Sequence, residues 1–115
     1  MSRAALAWRG EPLDAAAAAR AWEPAGEGVV RIAAPLSFVS VPALYRPGVA
    51  RIEAAAGELT FDLSGVAAVD SAGLALLVGW LAVARARGVR LHLRQIPAAL
   101  QALARLSELD TLLAQ

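Results

Sequence analysis

The chain has 115 residues, 58% of them apolar, a formal net charge of +1 and no cysteine, and its eleven basic residues are all arginines. That length holds one domain with one core. The composition excludes disulfides, thiolate metal sites and cysteine nucleophiles, and a lone histidine excludes a histidine-rich metal centre; near-neutral charge with scattered arginines gives no electrostatic case for nucleic acid.

Residues 1–20 stand apart as an N-terminal extension. The alanine run Ala15 to Ala19, flanked by Gly10, Pro12 and Asp14, reads as a frayed helix or a disordered arm. Ala21 to Pro24 and Val29 to Ala33 then form short strands around Gly26-Glu27-Gly28, a hairpin signal with glycine at its tip. Ala34 to Val39 connects them to a helix over Val41 to Ala56, with Ser40 at its N-cap and Pro42 in the first turn. Pro47-Gly48 falls inside that helix, so it starts or bends there. Gly57 is its expected C-terminal cap.

Glu58 to Leu63 alternates as a strand, and a helix follows from Ser71 to about Arg87, ended by Gly88. Val89 to Arg94 alternates cleanly, with Arg90, His92 and Arg94 on one face. Pro97 opens a helix with Leu100, Leu103 and Leu106 on one stripe, and Ser107 to Gln115 is a short terminal turn or helix. Helices alternating with strands in this order predict an α/β domain on a mixed sheet. The longest apolar run, Ala72 to Ala84, covers 13 positions, against about 20 for a bilayer span. Arg3 and Arg9 are followed by no compact apolar stretch and cleavage site, so the expectation is a cytoplasmic chain without direct membrane insertion.

Chemistry concentrates where the strand Phe61-Asp62-Leu63 leads to the helix start Asp70-Ser71-Ala72-Gly73. A hydroxyl at a helix N-terminus meets unpaired N–H groups and the positive end of the dipole. Ser71 therefore reads either as a plain N-cap or as a functional hydroxyl that is phosphorylated or touched by a partner. Gly73 in the first turn leaves space for an approach to the backbone. Asp62 and Asp70 suit a turn former and a helix-start acid better than a Mg²⁺ or acid/base pair. His92 reads as a surface residue. Without lysine there is no phosphate-binding loop of the Gly-x-x-x-x-Gly-Lys kind, and no cofactor is expected.

The helix from Ser71 carries two apolar stripes. Leu74, Leu77, Val78 and Leu81 make an ordinary core face, while Leu76, Trp80 and Val83 form a second. The second stripe packs under the C-terminal helix or meets a protein partner, for which tryptophan is a typical anchor. Leu44 and Tyr45 on the preceding helix would extend such a partner surface.

Asp62-Leu63-Ser64, Val69-Asp70-Ser71-Ala72-Gly73-Leu74 and Gly88-Val89 together resemble a STAS domain, the fold of bacterial anti-sigma factor antagonists and of the cytoplasmic tails of sulfate transporters. The resemblance covers residues 21–115 and implies a single mixed β-sheet of four to five strands with helices packed against it. It also implies that Ser71 matches the Ser or Thr that antagonists present to a kinase, with Asp70, Ala72 and Gly73 as the switch region around it. Ser71 to Leu77, with Ala84 to Gly88 and the early Trp22, is most similar to the small STAS subunit of the Mla phospholipid transport system. That resemblance implies a non-enzymatic adaptor bound to the ATPase of an ABC transporter at the inner membrane, supporting outer-membrane lipid asymmetry. The rival reading is an anti-sigma factor antagonist controlled by a kinase acting on Ser71. Pro47-Gly48 and the alanine-rich extension depart from the family pattern.

Overall fold

The computed structural model describes residues 13–113. Near its start Asp14 caps the short helix α1 (Ala15–Arg20) by accepting from the Ala17 N–H at 2.7 Å, and Ala18 is buried. Residues 1–12 of the expected extension lie outside the described residues. Strands β1 (Trp22–Gly26) and β2 (Val29–Ile32) pair antiparallel across the glycine turn, as its composition implied.

Helix α2 (Val41–Ala54) runs on through Pro47 and so does not start there. Proline removes one intrahelical bond, but Leu44, Gly48 and Ile52 recur at helical spacing and bury one face, which holds the helix to the core. Ser40 occupies the N-cap position without capping. Its buried hydroxyl turns back to accept from the Ser37 N–H at 3.1 Å and to donate to the Pro35 carbonyl. Gly57 is not the cap of α2 either: Ala55 is, and Gly57, at φ +98°, makes the turn into the next strand.

Strands β3 (Glu58–Asp62) and β4 (Arg90–Arg94) complete a four-stranded mixed sheet in the order β1-β2-β3-β4. The β2–β3 and β3–β4 pairs are parallel, so each needs a crossover, supplied by α2 and by α3 (Ser71–Ala86). One sheet face buries Trp22, Ile32, Leu59, Phe61 and Leu91. On the other face, Glu23, Arg31, Asp62 and Arg94 stand in register across all four strands with alternating sign. Opposite charges as cross-strand neighbours suit an open face.

The end of α3 matches its sequence signal. Gly88, at φ +70°, donates to the Arg85 carbonyl while Val89 donates to that of Ala84, the paired bonds of a Schellman stop. Helices α4 (Ala98–Leu106) and α5 (Asp110–Leu113) follow. In α4 the buried positions are Leu100 and Ala104; Leu106, expected on the stripe of Leu100, is 84% exposed.

The larger correction concerns α3 itself. It packs against α2, β4, α4 and α5, so both its apolar stripes are used inside the domain. Leu76, Trp80 and Leu44 are buried, and they form no partner surface. Trp80 stacks edge-on against Phe61, with centroids 5.1 Å apart, and lies 5.6 Å from Trp22; its indole N–H donates to the Tyr45 carbonyl at 3.1 Å. A Cβ at position 48 would collide with that indole, so Gly48 is the recess that admits Trp80. Val83 is half-buried against the same core, and Tyr45 is 41% exposed.

Candidate functional site

The N-terminal edge of α3 is built by two chain segments that run side by side. Leu36 and Val69 form an isolated parallel bridge, with the Leu36 N–H donating to the Ala68 carbonyl at 2.9 Å and the Asp70 N–H donating to that of Leu36 at 3.2 Å. This short ladder fixes where the helix can begin. Asp70, with extended backbone, is its N-cap: Oδ1 accepts from the Ala72 N–H at 2.8 Å and the Gly73 N–H at 3.2 Å. The space beside Gly73, expected to admit something from outside, is filled by the chain itself. A Cβ there would collide with the Leu36 carbonyl.

Ser71 is therefore the first helical residue and not the cap. It is exposed, and among the described residues its hydroxyl has no hydrogen-bond partner. A structural duty for that hydroxyl has already been taken by its neighbour, and Ala72 beside it is half-buried.

Asp70 does more than cap. Its second oxygen, Oδ2, accepts from the Phe38 N–H at 3.1 Å, tying the 35–40 loop to the helix start. Phe38 is 67% exposed, and beside it lies a hollow of about 220 Å³ lined by Pro35, Ser37, Val39, Ala68 and Val69. Phe38 escaped the sequence reading because it lay in an unassigned connection. The one available signal was a large aromatic in a loop between Pro35 and Ser40.

Asp62 and Asp70 do not form a pair. Asp62, at the end of β3, is buried; Oδ1 accepts from the Ser64 N–H at 2.9 Å and Oδ2 from the Arg94 guanidinium at 2.9 Å. The Ser64 N–H first, and Arg94 second, hold its carboxyl at about 2, below the usual 3.8, against the opposing effect of burial. Its lone pairs are spent on the fold. His92 lies 3.2 Å from the Glu58 carboxylate, which Arg90 also approaches at 3.8 Å, so it belongs to the polar sheet face. A larger groove of about 770 Å³, lined by Val78, Leu81, Val89, Leu91, His92 and Leu112 among others, holds none of the residues expected to be phosphorylated or to meet a partner. Among the described residues no group of three or more acidic or histidine side chains is placed to hold a metal ion, and no helix is long and apolar enough to cross a membrane.

With the geometry in place, comparison with known proteins identifies the fold. A family model described as Mlab, STAS domain, matches residues 19–114, and the chain belongs to that family. No curated protein matches it. STAS domains are in general non-enzymatic binding domains with regulatory or adaptor roles, and protein–protein interaction is what the family brings to this chain.

Proposed function

We propose that this chain is a non-enzymatic STAS adaptor that docks on the ATPase subunit of an ABC phospholipid transporter, peripheral to the inner membrane through that partner. The observation that carries the reading is the state of Ser71: an exposed hydroxyl at the first position of α3, released from capping because Asp70 does that work. An uncommitted polar group on a rigid helix end is suited to recognition, since little ordering is required when the partner arrives. Membership in the MlaB-type STAS family supports that class of partner.

An exposed serine hydroxyl also meets the first requirement of a kinase substrate, which keeps the anti-sigma factor antagonist as the competing reading. Affinity purification of the tagged chain from its native host, with mass spectrometry of the co-purifying proteins, separates them. Recovery of an ABC ATPase with its permease is expected. Recovery of a serine kinase bound to a sigma factor would overturn the transporter reading and make phosphorylation of Ser71 the mechanism.

A further inference from the structure

The reading above gives the docking edge a polar element but no source of binding energy. A single hydroxyl contributes little net stabilisation through one hydrogen bond. Interfaces draw most of theirs from a few large side chains that are buried on contact. The large apolar side chains exposed among the described residues are Phe38, Tyr45 and Leu106. Of these, Phe38 is the one bonded to the helix start, through the residue next to Ser71.

Building on that docking reading, we infer that Phe38 is the apolar anchor the partner buries, and that Asp70 is the positioning residue that presents it. The partner chemistry that fits is a protein surface with an apolar pocket for the Phe38 ring. Beside that pocket it carries a side chain small enough for the 220 Å³ hollow and a hydrogen-bonding group opposite Ser71. The loop that carries Phe38 is held before any partner arrives. Leu36 is bridged to Val69 on one side of it. The buried Ser40 hydroxyl ties Pro35 to Ser37 beneath it. The Asp70 carboxylate holds the Phe38 N–H itself, and the same carboxylate caps α3 through its other oxygen. An exposed phenyl ring on a loop pinned at three points binds with little ordering cost, which is the situation that favours a strong contact.

The placement also couples Ser71 to Phe38. A negative group on Ser71 would compete with the Asp70 carboxylate for the Ala72 and Gly73 N–H groups, and any displacement of Asp70 releases the Phe38 N–H. One carboxylate is thus the hinge between the polar and apolar halves of the edge.

The test is a double-mutant cycle on binding to the purified ATPase subunit of the host's phospholipid ABC transporter, read by isothermal titration calorimetry, with melting curves for every variant. Phe38→Ala is expected to weaken binding by about tenfold or more at an unchanged melting temperature. Asp70→Asn keeps one acceptor for the helix but offers Phe38 an amide that cannot accept, and it is expected to weaken binding in the wild-type background. In the Phe38→Ala background it should have no further effect, because Asp70 acts on the partner through Phe38. Equal losses from Asp70→Asn in both backgrounds would remove its positioning role. Wild-type affinity for Phe38→Ala, with Ser71→Glu still weakening the complex, would overturn the anchor and leave the docking edge intact. If neither Phe38→Ala nor Ser71→Glu changes the affinity, the edge itself is wrong.

Discussion

Two regions of α3 invite opposite expectations and turn out to have exchanged them. Around Trp80 the sequence offers what an interface anchor needs: a tryptophan, flanking aliphatics and a second apolar stripe that one core face does not require. The structure buries Leu76 and Trp80 and half-buries Val83, with Trp80 held between α2 and the sheet. At the N-terminal edge the helix side chains are small, yet Ser71 faces outward there, beside the exposed Phe38 of the 35–40 loop. The difference teaches that side-chain size does not identify a surface in a helix flanked on several sides. What decides is whether a neighbouring element has left room, as Gly48 does for Trp80.

The contrast can be broken most forcefully from its buried side. Trp80→Ala should destabilise the fold by about 3–5 kcal/mol, seen as a large loss in urea or thermal unfolding, while any folded fraction keeps its affinity for the partner. An unchanged melting temperature with lost binding would return Trp80 to the interface. Gly73→Ala forces a Cβ into the Leu36 carbonyl and should cost about 3 kcal/mol or more, because backbone on both sides must shift.

Asp62 sharpens the comparison through pH. Its carboxyl titrates lower in the fold, at about 2, than its ordinary 3.8. The stabilisation is therefore fully present above about pH 4 and is lost as pH falls through about 2. The shift corresponds to about 2 kcal/mol. Chemical denaturation across that window should show wild type losing this increment, and Asp62→Asn, which has no carboxylate to protonate there, lacking it. A variant with the same acid dependence as wild type would show that Arg94 and Ser64 do not hold the carboxylate. The smallest expected effect is at the proposed docking edge: Ser71→Ala should change unfolding stability by no more than about 0.5 kcal/mol.

Much of the fold was legible because its signals were local. The glycine hairpin, the alternation of β4 and the Gly88 stop each depend on residues a few positions apart, and each holds. The choice of cap at α3 was not legible, since Asp and Ser cap about equally well and stand side by side. The ladder between Leu36 and Val69 settled it in favour of Asp70. Pro47 does not set the start of α2 for a related reason: the local penalty of a proline is real, but burial of Leu44 and Ile52 outweighs it. Phe38 was hidden because its tie to Asp70 spans 32 residues and leaves no periodic trace. At the candidate site, the start of α3 was readable from Asp70-Ser71-x-Gly73, while the division of labour between Asp70 and Ser71 was not.

The most direct measurement is the affinity of Ser71→Glu for the transporter ATPase, by calorimetry beside wild type, with both melting curves recorded. A loss of about tenfold or more at an unchanged melting temperature is expected, because a bulky charge would replace a small hydroxyl in the middle of the contact. Equal affinities for the two proteins would contradict the claim that this edge of α3 is where the partner binds.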